Sequence, residues 1–374
     1  MERIKRKNFF DGMLILLSVG LLFLFFVGFL ILPTHAVSER ENRVLRTWER
    51  PSWQALLGGS LSDSVGAVAR DQFPMREEWI SLKARCEQIL GKRENNGILL
   101  GKDGVLMARN EYVDLSVAQE NLRAAERFAE DSEIPVTRCW VPRSADVMSR
   151  WLPSPYPSEA ANRLYRLLGA TPISLLREAA EEGRQVYYRT DHHLTTEGAY
   201  LLYCQLGNTL GYTPRERSEF HIETVSENFL GSADSAVGGI ATHQDRIELY
   251  RYEGDDGFLV TDEQTSEVRE GFYDLSALER KDQYGIFLGG NFAHLSVREV
   301  GEAEKSRLLL VKDSFANALI PFLAIHFDLE VVDLRYLSGE IFLEPCDNVL
   351  ILQGVDTLAT DRSLGKLEFI KKKG

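Results

Sequence analysis

From Met13 to Leu32 the chain reads MLILLSVGLLFLFFVGFLIL, twenty residues without a charge. An apolar helix of about 20 residues matches the thickness of a hydrocarbon core. Arg3, Lys5, Arg6 and Lys7 stand before it. Basic residues on that side favour a cytoplasmic N-terminus, which places the rest of the chain outside the cytoplasm. The expected layout is a cytoplasmic N-terminus at 1–12, a transmembrane anchor at 13–33, an extracytoplasmic stem at 34–95 and one large domain at 96–374. A cleaved signal peptide is the competing expectation, because Thr34-His35-Ala36 is faintly like a small-residue cleavage site. The apolar run exceeds the roughly 7–15 residues of a signal core, so the anchor is preferred.

Beyond the anchor the pattern changes twice. SERENRVLRTWERPSW is polar and broken by proline, and ARDQFPMREEWISLKARCEQIL has helical spacing of its apolar positions. ILLGKDGVLM places two short apolar runs around Gly101-Lys102-Asp103-Gly104, which predicts a hairpin. From about residue 115 strands and helices alternate. Ser116 to Gln119 has the pattern of a capping box opening a helix through Glu130. VTRCWV, RQVYYRT, GIFLGG, SRLLLVK, LEVVDLRYL and NVLILQG read as strands; PSEAANRLYRLLGA, LTTEGAYLLYCQLGNTLGY and SFANALIPFLAIHF read as helices. Apolar strands alternating with helices predict an α/β fold, a parallel sheet with helices on both faces. Residues 213–285, rich in Gly, Ser, Asp and Glu with one alternating segment IELYRYE, interrupt the rhythm and read as an irregular or β-rich insertion.

Charge narrows the partners. The chain carries 43 basic and 56 acidic residues, a net of −13. An acidic surface does not suit nucleic acid. The four cysteines, Cys86, Cys139, Cys204 and Cys346, are far apart and form no CxxC, which argues against a zinc cluster and leaves disulfide pairing open. No cofactor motif such as GxGxxG occurs.

Two stretches carry candidate chemistry. In LLLVKDSFAN a strand ends at Lys312-Asp313-Ser314 and a helix follows. Sites in parallel α/β sheets gather at C-terminal strand ends. A serine at such a turn has the mechanics of a nucleophile elbow, although Ser is also a common helix cap. In YRTDHHLTTEGAY, Asp191 follows the expected strand RQVYYRT. Residues two apart in extended chain share a side, so Asp191 and His193 pair while His192 faces away. A carboxylate beside an imidazole fixes its tautomer and frees the other nitrogen to accept a proton from serine. Ser314, His193 and Asp191 are therefore candidates for one triad. Asp191 and His193 also allow a metal site, with Asp313 or His294 completing it, and the segment also reads as a simple capping corner.

These segments resemble the bacterial DHHW protein family, which is related to the SGNH-like domains of alginate O-acetyltransferases. TDHHLTTEGAY and LLLVKDSFANALIPFLA are similar to its two signature segments. Glu41-Asn42-Arg43, Asp71 to Arg76, Asn96 to Gly104, Val141 to Asp146, Phe229-Leu230-Gly231-Ser232 and Val332 to Arg335 match shorter ones. The resemblance implies an SGNH-like fold whose acid–base pair, Asp-x-His, precedes the nucleophile. It departs in two places: Leu194 stands where the family name has Trp, and Lys312 where a Gly-Asp-Ser block has Gly. Lys312 is a bulky cation where backbone would closely approach, and a substrate-side role for it is also open. Gly289-Gly290-Asn291 offers oxyanion donors in Gly290 and Asn291, or is a plain turn. Arg335 either binds substrate or pairs with Asp333; pairing is preferred.

The expected function is that of a membrane-anchored extracytoplasmic serine acyl transferase or esterase acting on acetyl groups of a cell-surface or secreted polysaccharide. No cofactor is expected. A transferase would need a membrane partner to pass acetyl outward, such as a membrane-bound O-acyltransferase. The alternatives are a catalytically silent glycan-binding or assembly protein, and a metal-dependent hydrolase at Asp191-His192-His193.

Overall fold

The computed structural model describes residues 2–38, 40–41, 43–48, 60–108, 113–153, 159–169, 173–301 and 304–373. Asn42 and the proline-broken stretch around Trp53 lie outside the described residues. The chain divides into two compact units, residues 1–91 with 238–240, and residues 92–237 with 241–374.

The first unit begins with a helix over Glu2–Ile31. Its segment Phe10–Ile31 has a mean hydropathy of 3.0, long and apolar enough to cross a membrane. Two further helices follow at Ser60–Asp71 and Arg76–Ile89. They carry an ion-pair network that gives two of the short sequence matches a physical role. Arg43 donates to both Asp71 oxygens at 2.7 and 3.1 Å, and the Arg76 guanidinium donates to Glu41 at 2.6 and 3.1 Å. The Arg43 hydrogen bond holds the Asp71 carboxyl down to about 2.

The second unit is built on a seven-stranded sheet. In chain order its strands are β1 (Val136–Val141), β2 (Phe258–Asp262), β3 (Glu267–Glu270), β4 (His294–Glu299), β5 (Arg307–Lys312), β6 (Asp328–Val332) and β7 (Asn348–Gly354). Their order across the sheet is β3-β2-β4-β6-β5-β7-β1. Strands β6, β5, β7 and β1 run parallel, whereas β4, β2 and β3 extend the sheet in antiparallel fashion. The expected parallel sheet is thus mixed. Two of its strands come from the stretch read as an insertion; Val260 and Phe258 alternate inward while Leu259 is only half-buried.

Alternation along the central strands separates two apolar layers. Leu308 and Leu310 face one layer, with Leu350 and Leu352 of β7. Leu309 and Val311 face the other, with Val349 and Ile351. The helices Ser174–Glu181 and Thr196–Leu210 contribute to the first layer through Leu176, Leu202 and Leu206. The helix Leu115–Asp131 contributes Ala118 and Ala125 to the second. Both sheet faces are therefore covered, which is why the central strands read as unbroken apolar runs.

Four local expectations change. The helix at 115 is capped by Asp114, whose side chain accepts from the N–H groups of Ser116 and Val117, not by Ser116. RQVYYRT is no sheet strand; it makes one isolated bridge, Tyr187 with Leu194. Its backbone donors go elsewhere, Arg189 and Thr190 N–H to Asp245 at 2.8 and 2.7 Å and Tyr188 N–H to His193 carbonyl at 3.2 Å. GIFLGG is a short 3₁₀ turn, Gln283–Ile286, followed by three residues of positive φ, Leu288, Gly289 and Gly290. SFANALIPFLAIHF breaks into a 3₁₀ turn, Ser314–Ala316, and a short helix, Ile320–Leu323. Pro321 has no N–H to donate and cannot lie deep inside a helix that starts at Ser314.

Candidate active site

Strand β5 ends at Lys312, and its C-terminal edge delivers Asp313 and Ser314 to the turn that follows. Asp313 anchors that turn. One of its carboxylate oxygens accepts from Phe315 N–H at 3.0 Å, the other from Gly354 N–H at 2.8 Å and Thr357 Oγ at 2.7 Å. It ties β5 to the end of β7 and points away from a metal role with the histidines. Ser314 is the first residue of its turn, so its own N–H has no intrahelical acceptor.

Asp191, His192 and His193 occupy the tight loop closed by the Tyr187–Leu194 bridge. His193 donates its backbone N–H to Asp191 Oδ1 at 2.9 Å, and its Nδ1 lies 2.6 Å from the same oxygen. Its Nε2 lies 2.8 Å from Ser314 Oγ. The three expected residues therefore stand in one hydrogen-bonded chain. The same-side placement of Asp191 and His193 comes from this local turn, in which a carboxylate caps the backbone two residues on, rather than from a strand.

Asp191 Oδ2 accepts from Ser232 N–H at 2.7 Å and Ser232 Oγ at 2.8 Å. Both carboxylate oxygens are thus taken by protein donors. Burial would raise this carboxyl, but the imidazoles of His192 and His193 and the Ser232 N–H outweigh it and hold it well below the usual range. Burial pushes the His193 imidazole down to about 4, with His192 adding to the fall and Asp191 opposing it. At neutral pH His193 is an uncharged base facing a serine hydroxyl.

Sequence reasoning missed two residues here. Ser232 supports Asp191, and the preceding Gly231 leaves room for it: a Cβ there would lie 2.3 Å from the Asp191 side chain. The signal was the short Phe229-Leu230-Gly231-Ser232 match. Tyr284 stacks on His193 with ring centroids 3.8 Å apart and planes 5° apart, and its hydroxyl donates to the Ser314 carbonyl at 3.1 Å. Nothing in the sequence around Tyr284 marked it.

Lys312, at the end of a buried strand, turns its side chain into the protein. Its Nζ donates to Asn317 Oδ1 at 2.7 Å and Asn291 Oδ1 at 3.0 Å and lies 3.7 Å from Asp333. Burial pushes this amine down to about 8, with Asp333 opposing. Arg335 is held by Asp333 at 2.7 and 2.9 Å, so its guanidinium pairs as preferred from sequence. Asn291 Oδ1 also accepts from Asn317 Nδ2 at 3.2 Å, and Asn317 donates to Gly290 carbonyl at 3.4 Å. Those bonds dock the Gly290–Asn291 loop onto the turn that begins at Ser314. Leu194, in place of Trp, is fully buried in the layer with Tyr187 and Val186. His294 pairs with Glu330 at 2.8 Å and takes no part in the Asp191 cluster.

Residues 162–332 match the model of the DHHW protein family. The matched segment holds Asp191, His193, Ser232, Tyr284 and Ser314 together. Among solved structures, a DHHW family protein from Eubacterium siraeum is 21% identical, with 75% of this chain and 98% of that one covered and a TM-score of 0.59. Bacillus cereus PatB1, solved with a sulfonyl adduct, is 20% identical over 74% of this chain and 98% of its own, with a TM-score of 0.57. These likenesses establish a shared fold for the DHHW segment and its surroundings. No curated protein matches the chain.

Proposed function

We propose that the protein is a membrane-anchored, extracytoplasmic SGNH-like serine acyltransferase or esterase that handles acetyl groups on polysaccharide hydroxyls. The observation that carries this reading is the chain Asp191–His193–Ser314, with contacts of 2.6 and 2.8 Å. Ser314 Oγ attacks the acyl carbonyl while its proton passes to His193 Nε2. The tetrahedral oxyanion collapses, the leaving alcohol takes the proton from His193, and an acyl-serine remains. A second hydroxyl, from a sugar or from water, then gives its proton to His193 and attacks the acyl-serine; as the second tetrahedral intermediate collapses, His193 returns that proton to Ser314 Oγ and the ester or acetate product leaves. Asp191 holds the Nδ1–H tautomer throughout. The Ser314 N–H and the Asn291 amide are the candidate oxyanion donors.

Two further observations support the reading. Lys312 is directed into the Asn291–Asn317–Asp333 cluster, away from the space a Gly would leave beside Ser314. PatB1, of the same fold, accepts a sulfonyl group as an adduct, and sulfonyl reagents trap nucleophilic side chains. Arg335 and Lys312 are already paired in the protein, and this supports reading them as braces of the site rather than as substrate contacts. The apolar helix Phe10–Ile31 serves as the anchor. With the site outside, a transferase receives its acetyl group through a membrane-bound O-acyltransferase partner.

Acetate release from 4-nitrophenyl acetate by the full chain in detergent tests the proposal, for the wild type and Ser314→Ala, with and without a chelator. Release that survives chelation and disappears in the variant is expected. Equal release by both proteins would remove Ser314 as nucleophile. The side-chain ligand atoms of Asp191, His192 and His193 lie within 4.8 Å of one another, and this favours metal-dependent hydrolysis as the second reading. Loss of activity on chelation would select it.

A further inference from the structure

We propose that His192, the residue between the two members of the acid–base pair, binds the acyl acceptor, its Nε2 accepting a hydrogen bond from an acceptor hydroxyl; the assignment rests on the acyl-transfer reading above. The protons available around Ser232 fix the tautomer of His192. Ser232 Oγ lies 2.8 Å from Asp191 Oδ2 and 2.7 Å from His192 Nδ1. A hydroxyl has one proton, and an ionised carboxylate can only accept. Ser232 therefore donates to Asp191, and His192 Nδ1 donates to Ser232. A neutral imidazole with its proton on Nδ1 has a bare lone pair on Nε2.

His192 and His193 thus share one tautomer. In His193 the bare Nε2 meets the Ser314 hydroxyl. In His192 it has no partner among the described residues. The two rings lie 3.8 Å apart, and His192 stands edge-on to Phe315, the residue after the nucleophile, at 5.7 Å. The His193 side chain is 8% exposed and that of His192 is 44% exposed. The result is a fixed acceptor nitrogen opening to solvent beside the reacting hydroxyl.

A hydroxyl is the complementary group. A sugar presents neighbouring hydroxyls, so one can donate to His192 while the next gives its proton to His193 and attacks the acyl-serine. His192 forms only a hydrogen bond in this step, and the proton balance of the transfer is unchanged. Its contribution belongs to the second half-reaction, not to acylation of Ser314.

Two substitutions separate this role from mere support of Asp191. The amide nitrogen of His192→Asn takes the place of Nδ1 and keeps the bond to Ser232, but offers nothing where Nε2 was. His192→Gln reaches the Nε2 position with a carbonyl acceptor and gives up the Ser232 bond. The full chain in detergent is supplied with 4-nitrophenyl acetate as donor and methyl α-D-glucopyranoside as acceptor, and the ratio of sugar ester to free acetate is measured. His192→Asn should lower the ratio of sugar ester to free acetate by about tenfold, the size of one neutral hydrogen bond. His192→Gln should recover part of that ratio. A wild-type ratio no higher than that of His192→Asn overturns the assignment, as does a ratio retained in Asn and lost in Gln, which would mark a purely structural role. Turnover by a parallel Ser314→Ala sample would overturn the acyl-serine reading itself, and is read separately from either ratio.

Discussion

Two buried polar clusters meet at the end of β5, and they dispose of their charge in opposite ways. In one, Lys312 is 1% exposed and Asp333 is 0% exposed; Asn291, Asn317 and Arg335 complete a set whose polar groups satisfy one another. In the other, Asp191 is just as enclosed, but its chain of hydrogen bonds leads outward through His193 to Ser314 and through Ser232 to His192. A buried charge needs partners in either case. Where the partners close on themselves the cluster is a brace. Where they pass outward to a hydroxyl and an imidazole at the surface, the same cost of burial is turned into a poised base.

The comparison breaks most sharply at Asp191. Asp191→Asn keeps the shape but loses the charge and the acceptor that fixes His193, so kcat for ester hydrolysis should fall about 10³–10⁴-fold with the circular dichroism spectrum unchanged. Lys312→Met should act on the brace instead. It leaves the Asn291 and Asn317 oxygens short of a donor and should lower stability by about 1–3 kcal/mol in urea unfolding, with a smaller loss of kcat than Asp191→Asn.

The charge state of His193 sharpens the comparison further. Because its folded pKa is lowered to about 4, the neutral base persists well below the ordinary imidazole value of 6.5. The acid limb of kcat/KM should therefore lie near pH 4, with little loss at pH 5.5. The same shift makes the unfolded chain bind its proton first. The stability it contributes is complete above pH 6.5 and is lost as pH falls toward 4, which a series of Tm measurements would follow. The smallest effect is expected at Tyr284→Phe. The stack on His193 remains, while the hydroxyl's bond to the Ser314 carbonyl and the one it accepts from the Ala318 N–H go, a change of about 1 kcal/mol or a few-fold in kcat.

Much of the site was legible from local sequence. The strand end at Lys312-Asp313-Ser314 was visible because SRLLLVK is apolar on both faces, and the pairing of Asp191 with His193 followed from their spacing. The reason given for that spacing was wrong: the segment is a turn held by Asp245, an acid more than fifty residues away in the chain. Ser232 and Tyr284 reach the site in the same manner, from a short helix and a 3₁₀ turn too brief to carry a periodic signal. GIFLGG failed as a strand because its apolar letters fill the core from a 3₁₀ turn, which composition does not distinguish from an extended segment.

By itself the sequence determined what short-range physics controls: an apolar span at Met13–Leu32, the buried strands β1, β5, β6 and β7, and the residue types that acyl chemistry needs. Tertiary structure alone decided the antiparallel half of the sheet, the inward turn of Lys312, and the meeting of residues 191, 232, 284 and 314. Strand pairing and buried hydrogen bonds join residues far apart in the chain. Their free energy depends on which partners the fold brings within about 3 Å, and no local pattern encodes that.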